Sequence, residues 1–224
     1  MTPPDARPRI SVVQPEGWVR LRIDDAIEAQ IADLSATIAR TAEPARRDLV
    51  RTQVRRALRD LASAASAHAY EVWMPVAPTG GVTIPVTFTV GPMPAQPDPA
   101  RDVADVLLAF AAGSAGARAL EVGGRLAVRT AIDIAGVRDD AGAYTQFPRR
   151  RVIFTVSPAE RGGEWLAFLA EIIAPDADEA AAITDAGEYF VDALMATVTF
   201  GDETIADAAA RARAALDGKA EDPR

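Results

Sequence analysis

The chain has 224 residues, of which 49% are apolar and 25% charged, and its formal net charge is −8. This composition is typical of a globular protein and excludes a mostly disordered chain. The acidic balance argues against a nucleic-acid-binding protein, because such proteins usually carry a basic face that neutralises phosphates.

No helix or strand is predicted for the first nine residues of the chain. Residues 1–9 hold three prolines, which is typical of a flexible terminal arm. Two short strands are then predicted over Ile10–Val13 and Trp18–Ile23, separated by a turn at Pro15 and Gly17. No run of residues is long and apolar enough to span a membrane, and no signal-peptide pattern is present. We therefore expect a cytoplasmic protein.

Residues 24–67 predict two helices joined by a tight turn. In the first helix the apolar residues recur at spacings of four, three and four, at Ile27, Ile31, Leu34 and Ile38. Pro44 cannot continue this helix. A second helix is predicted over residues 45–67, with a buried stripe formed by Leu49 or Val50, Val54, Ala57, Leu58, Leu61 and Ala65. The two helices form an αα-hairpin.

The clearest strand pattern is in Val82–Val90, where five apolar residues alternate with threonine and proline. Pro85 cannot donate a hydrogen bond to a neighbouring strand, so we expect either that this strand lies at an edge of the sheet or that the backbone nitrogen of Pro85 faces outward. Further strands are predicted at Leu120–Val122, Leu126–Ile134, Arg151–Ser157 and Trp165–Ile173. Together these segments predict an antiparallel sheet.

In Leu126–Ile134, the aliphatic side chains share one face, and Arg125, Arg129 and Asp133 lie opposite. We expect the aliphatic faces of Leu126–Ile134 and Val82–Val90 to pack on one common core. Helices are also predicted near residues 103–110 and 185–198. The sequence therefore predicts a single α+β domain over residues 10–200, followed by a C-terminal helical tail over residues 201–224.

The order of the elements between residues 119 and 200 is similar to that of a known superfamily. The similarity lies in a hairpin around Val128–Thr130, the strand-turn segment Val152–Pro158, the apolar strand Trp165–Ile173 and a final helix over Tyr189–Phe200. This order resembles the PsbP-like superfamily, which includes a photosystem II subunit, a Ran-binding import factor and mycobacterial lipoproteins. It also resembles accessory proteins of actinobacterial type VII secretion loci.

The resemblance covers about a third of the chain and brings no catalytic residues with it. It implies an antiparallel sheet with helices packed on it, here joined to an N-terminal αα-hairpin. It also implies a non-enzymatic binding or assembly role, such as a type VII secretion accessory or a chaperone-like factor.

The chemistry-bearing motifs of common enzymes are missing from the sequence. The chain has no cysteine and one histidine, His68, so the usual zinc ligand sets are not available. No phosphate-binding or dinucleotide-binding glycine motif is present. We therefore expect no metal, no cofactor and no catalytic residue. The alternative is a small enzyme whose site is built from arginines and carboxylates.

The second predicted helix carries a strongly basic side. Its charged residues are six arginines and two aspartates: Arg46, Arg47, Arg51, Arg55, Arg56, Arg59, Asp48 and Asp60. Four of the arginines recur every four residues and therefore share one side of the helix, namely Arg47, Arg51, Arg55 and Arg59. Such a side is either solvated, paired with the acidic region 171–224, or a docking surface. We predict that these four residues bind an acidic protein partner or a second copy of the chain.

Overall fold

The structure is a computed structural model that describes residues 8–78, 83–114, 116–160, 163–174 and 180–201. The described helices are α1 (Ile27–Arg40), α2 (Arg47–Ala65), α3 (Val103–Ala112) and α4 (Ala180–Met195), with a 3-10 turn at Pro44–Arg46. The described strands are β1 (Ile10–Ser11), β2 (Trp18–Arg22), β3 (Glu71–Pro75), β4 (Val86–Pro92), β5 (Arg118–Val122), β6 (Arg125–Ile134), β7 (Val137–Arg138), β8 (Tyr144–Gln146), β9 (Arg149–Val156), β10 (Leu166–Ile173) and β11 (Thr199–Phe200). The predicted α+β class and the αα-hairpin are confirmed.

Seven strands form one antiparallel sheet in the order β2-β3-β4-β10-β9-β6-β5. One face of this sheet, which we call the α4 face, is covered by α4 and by the small β1-β11 ribbon. Alternate residues of the central strands are fully buried on it, including Val86, Phe88, Phe154 and Phe168. Gly187 lets α4 approach closely, because a Cβ there would lie 2.6 Å from Cγ2 of Ile172. The main core therefore lies between α4 and the middle of the sheet.

The opposite face of the sheet, which we call the hairpin face, is covered only in part. The αα-hairpin packs on β2 and β3, where Leu21, Val72, Ile31 and Leu58 are buried together. At the other end of the sheet, α3 packs on β6 through a separate cluster formed by Val106, Leu107, Val128 and Trp165. The two helical layers cover the two ends of this face.

The structure corrects the predicted edge position of the Pro85 strand. The strand β4 begins at Val86, so Pro85 lies just before it, and β4 pairs with β3 on one side and β10 on the other. The carbonyl of Pro85 still accepts a hydrogen bond, from the N–H of Ile173. Proline is tolerated at this position because β10 uses only the carbonyl of residue 85 as an acceptor, and the N–H that proline lacks is not needed for the pairing.

The predicted common core of Val82–Val90 and Leu126–Ile134 is wrong. Val86 and Phe88 lie on the α4 face, whereas Val128 lies on the hairpin face beneath α3. Leu126 and Ile132, which the alternation placed in the core, are 55% and 45% exposed. The period of two identifies residues on the same face, but in a sheet with helices on both faces it does not identify which face carries the core.

Arg129 lies opposite the aliphatic side chains of its strand, as predicted, and is buried there beneath α4. Its guanidinium donates hydrogen bonds to Asp192, at 2.7 Å, and to Glu188 of the same helix. Glu188 also accepts from Arg150, which in turn binds Asp133. The burial of a charge is costly unless it is paired and hydrogen-bonded, and the two carboxylates of α4 meet that requirement.

Both predicted terminal segments fall mostly outside the described residues. Of the predicted arm at residues 1–9, the structure describes Pro8 and Arg9, and the Arg9 carbonyl accepts a hydrogen bond from the N–H of Gly201. Of the predicted helical tail at residues 201–224, only Gly201 is described.

The position of Val86 leads to a test of the core. We expect Val86→Asp to destabilise the fold by about 4 kcal/mol or more, or to prevent folding, because it buries a carboxylate without a partner. The matched control is Ile173→Asp, on the hairpin face, where the side chain is 39% exposed. Thermal melting should show a much smaller loss for the control, and equal melting temperatures would contradict the assignment of the two faces.

The ion pairs of Glu188 make stability depend on pH. Burial alone would raise the pKa of Glu188, but the hydrogen bond and charge of Arg129, with those of Arg150, outweigh burial and lower it. A carboxyl whose folded pKa is below its unfolded value stabilises the fold at neutral pH, and that contribution is lost as pH falls through the folded pKa.

We therefore expect Glu188→Gln to be less stable than the wild type at neutral pH and to lose less stability on acidification. Denaturant unfolding at several pH values between neutral and acidic measures both quantities. Asp140→Asn, in an exposed turn, controls for the loss of one negative charge. Parallel stability curves for wild type and Glu188→Gln would show that Glu188 has no such role.

Candidate partner-binding site

The αα-hairpin holds the arginines of α2 at the surface. Leu58 and Ala62 turn inward onto α1 and the sheet, so the remaining sides of α2 are accessible. Leu49, one of two alternatives for the first buried position, is 54% exposed, and the other alternative, Val50, is half-buried. Packing therefore fixes the rotation of α2 about its axis and with it the direction of the basic side.

Arg47, Arg51, Arg55 and Arg59 form a row along the exposed side of α2, which we call the arginine row. All four are exposed. The row meets α1 at both ends, because Arg59 binds Glu28 near the start of α1 and Arg47 donates to the carbonyl of Ala42 just beyond its end. The predicted four-residue spacing thus places the four side chains along the seam between the two helices.

Glu28 is the carboxylate most strongly engaged with the arginine row. Arg59 donates to both of its oxygens, with Nε to Oε1 at 2.9 Å and Nη2 to Oε2 at 2.6 Å, and Arg55 lies 3.7 Å from Oε2. The hydrogen bond from Arg59 is the main cause that lowers the pKa of Glu28, and the charge of Arg55 adds to it. One carboxylate thus serves two arginines.

The basic charge of α2 exceeds the carboxylates that contact it. Among the described residues, Arg51 pairs with Asp48 at 2.9 Å and Arg56 approaches Asp60 at 4.0 Å. With Glu28, these are three carboxylates for the six arginines of residues 46–59. Arg47 donates to a neutral carbonyl. The basic side of α2 therefore keeps an excess of positive charge, although the αα-hairpin as a whole has equal numbers of arginines and acidic residues over residues 24–67.

The acidic C-terminal region does not supply the missing carboxylates within its described part. Glu171 pairs with Arg149 and Arg151, while Glu188 and Asp192 pair with Arg129 beneath α4. All these groups belong to the sheet or to α4, away from α2. Most of the remaining acidic residues of 171–224 lie outside the described residues.

A depression of about 400 Å³ lies on the basic side of α2, lined by Arg51, Thr52, Arg55, Arg56, Arg59 and Asp60. Every one of these residues belongs to the same helix. A depression bounded by one helix is an open surface, whereas small-molecule sites are concave and are formed between elements. This geometry suits contact with another macromolecule.

Besides the pairs of Glu171 with Arg149 and Arg151, sequence reasoning missed two arginine-carboxylate clusters of the sheet. One is the Arg129 cluster beneath α4. The other joins Arg20, Glu71 and Trp73, in which Glu71 accepts from the Arg20 guanidinium and from Trp73 Nε1 at 2.7 Å. Their signal in the sequence was an arginine alternating with apolar residues inside a predicted strand. In both clusters the carboxylates are occupied by arginine, as in a structural ion pair.

No helix in the described parts of the chain is long and apolar enough to cross a membrane. Within the same residues, no group of three or more histidine, aspartate or glutamate side chains is placed to hold a metal ion.

No protein-family model matches the chain, and no curated protein sequence does either. Among solved structures, the chain is similar to LpqN, described as involved in cell envelope biogenesis of Mycobacterium tuberculosis. The TM-score is 0.41 and the identity 16%, over 88% of this chain and 85% of LpqN. A similarity of this size carries no inference about function, and membership in the PsbP-like superfamily stays a prediction.

The contact between Arg59 and Glu28 can be measured directly. We expect NMR titration to give Glu28 a pKa below the ordinary glutamate value, and Arg59→Gln to raise it, because the hydrogen bond from Arg59 is its main cause. Arg56→Gln, on the same helix but paired with Asp60, should leave the titration of Glu28 unchanged. An unchanged Glu28 pKa in Arg59→Gln would mean that the two side chains do not meet in solution.

Proposed function

We propose that this protein is a non-enzymatic binding or assembly protein and that the arginine row docks an acidic partner protein. The observation that carries the proposal is the excess of positive charge over residues 46–59: within the described parts of the chain, four of these six arginines contact three carboxylates, and Arg46 and Arg47 contact none. The chain as a whole has a net charge of −8. The basic side of α2 therefore has the opposite sign to the net charge of the molecule.

The chemistry of the row suits recognition of carboxylates. The guanidinium group is planar and offers a fixed fork of donors, and it binds a carboxylate through two parallel hydrogen bonds. Arg59 already does so with Glu28. Arg47, which has a neutral carbonyl as its partner, and Arg51, whose partner Asp48 has a side chain 91% exposed, are available to bind carboxylates of a second protein.

The proposed contact is electrostatic and is therefore expected to depend on salt. Charged surfaces of opposite sign raise the rate of encounter, and this effect falls with ionic strength because the screening length is about 8 Å at physiological salt and about 3 Å at 1 M. The arginines of the row contribute little to folding, since exposed ion pairs are weak. We therefore expect substitutions that change the charge of these arginines to leave the protein folded.

A narrower form of the proposal is a cytoplasmic accessory or chaperone-like factor of type VII secretion. Its support is the resemblance of residues 119–200 to such accessory proteins. The arginine-carboxylate enzyme considered as an alternative gains no support from α2, because the depression there is bounded by a single helix.

The double variant Arg47→Glu with Arg51→Glu tests the arginine row. We expect it to fold with a melting temperature close to that of the wild type, and to lose partner capture from a lysate of the native host or self-association in sedimentation experiments. Capture by the wild type should also fall as salt is raised towards 1 M.

The matched control is Arg101→Glu with Arg138→Glu, which changes the net charge equally at exposed positions away from α2. The control should keep wild-type capture and wild-type salt dependence. If the α2 variant and the control behave alike in all three measurements, the arginine row is a solvated surface and the proposal is wrong.

A further inference from the structure

The outer edge of the sheet carries a second candidate site, at β2. This strand pairs with β3 on one side and is the last strand of the seven-stranded sheet on the other. A terminal strand has alternate N–H and C=O groups that face away from the sheet, and these are a template for pairing with another chain. What lies along the β2 edge therefore decides whether a further strand can add to it.

Two glutamine side chains occupy the ends of this edge. Arg22 donates its N–H to Oε1 of Gln30 at 3.0 Å, and Nε2 of Gln30 donates to the Arg22 carbonyl at 3.1 Å. This is the pair of bonds that two opposite residues exchange in an antiparallel ladder. At the other end, Nε2 of Gln14 donates to the carbonyl of Trp18. The side-chain amides thus take the place of peptide groups of a neighbouring strand.

Between the two glutamines lies one open position, Arg20. Ile23 donates its N–H to Tyr70 on the β3 side, and Arg22 forms its bonds with Gln30 on the outer side. Because successive residues of a strand alternate in direction, the N–H and C=O of Arg20 face outward as well. No side-chain hydrogen bond within the described parts of the chain reaches these two backbone groups.

The space beside this edge is large enough for an extended segment. A concavity of about 610 Å³ is lined by Gln14, Val19, Arg20, Arg22, Asp24, Ala26 and Gln30. The five residues of β2 span about 17 Å, so an extended segment of about five residues can pair along the whole strand. The bonds of Gln30 are exposed, so an incoming strand can replace them with its own peptide groups.

Two arginines at the edge share one carboxylate, Glu71. The carboxylate that lines the concavity, Asp24, accepts hydrogen bonds from Ala26 and Gln30, so Arg22 is the charge available to an added strand. The side chain of Arg22 is 66% exposed, and its contact with Glu71 is long, at 3.9 Å. Arg20 lies beside it on the same face of the sheet, in a shorter ion pair with Glu71. Opposite charges directly across a pair of strands stabilise the pairing, so acidic side chains of an added strand would lie next to Arg22.

We propose that the β2 edge binds an extended acidic segment of another protein by strand addition, with the backbone of Arg20 as the central contact. The segment runs antiparallel to β2, and one of its residues exchanges both ladder bonds with Arg20. This site is separate from the arginine row, so its failure leaves the proposed function intact.

A second copy of the chain fits this edge less well than an acidic segment. Antiparallel pairing of two β2 strands about a two-fold axis at Arg20 would place the two Arg20 side chains directly opposite each other. Like charges in such positions are destabilising. A heterologous acidic strand has no such conflict.

The probe is a seven-residue peptide, acetyl-Thr-Val-Glu-Val-Glu-Val-Thr-amide, which places glutamates on one face and valines on the other. We expect NMR titration to give a Kd of about 1 mM or lower, with the largest shifts at the amides of Arg20 and Arg22. The same peptide with lysine in place of glutamate should bind at least tenfold more weakly. N-methylation should weaken binding at alternate positions of the peptide only, because strand addition uses every second N–H.

Two variants isolate the backbone contact. Arg20→Pro removes the outward N–H, and an edge strand tolerates proline at such a position. Arg20→Ala removes the same side-chain contacts but keeps the N–H. We expect the peptide to bind Arg20→Pro about tenfold more weakly than Arg20→Ala, with both variants folded by thermal melting.

The proposal is overturned by no binding at millimolar peptide, by N-methyl effects without alternation, by equal affinity of the two Arg20 variants, or by dimerisation through β2 without peptide. Shifts that map to Arg55 and Arg59 would also overturn it, while supporting the arginine row as the acidic-partner surface. Unchanged exchange of the Arg20 amide with bound peptide would show that the glutamines serve only to protect the edge.

Discussion

The fold depends on the contact of α4 with the middle of the sheet. Val191 and Met195 are fully buried against strands whose inward side chains are themselves fully buried, and Gly187 allows the close approach. At the periphery of this contact, Arg129 reaches the carboxylates of Glu188 and Asp192. Apolar burial supplies the stability, and the ion pairs fix where along the sheet the helix lies, since a buried arginine without them would be costly.

With one face of the sheet closed by α4, the other face is left to the αα-hairpin and α3. Each covers one end of the sheet, with its own apolar cluster. The apolar side chains of the αα-hairpin cover β2 and β3, and its remaining sides are exposed to solvent. The arginines of α2 are therefore displayed by the same packing that buries Leu58 and Ala62, and the edge of β2 lies beside the start of α1.

Arginine has three different roles in this chain, and the surroundings decide which. Arg129 is buried between two carboxylates and holds a helix in place. Arg20 bridges Glu71 and the carbonyl of Ile10, which links the sheet edge to the N-terminal strand. The arginines of α2 are exposed and exceed their carboxylates in number. Since the chain has 23 arginines and one lysine, the residue type alone does not separate these roles.

Local periodicity and turn chemistry in the sequence determined the αα-hairpin, the strands of the sheet and the four-residue arginine row, because each pattern needs only neighbouring residues. Tertiary structure decided the rest. Whether Arg129 and Leu126 are buried depends on whether α4 or solvent covers their face of the sheet. The interior position of β4 depends on pairing with β10, in which Phe168 lies opposite Val90, 78 residues earlier in the chain. The hydrogen bonds of Gln14 and Gln30 with the backbone of β2 likewise cannot be read from any spacing in the sequence. Such contacts form between elements distant in the chain, and their energies appear only once the elements pack.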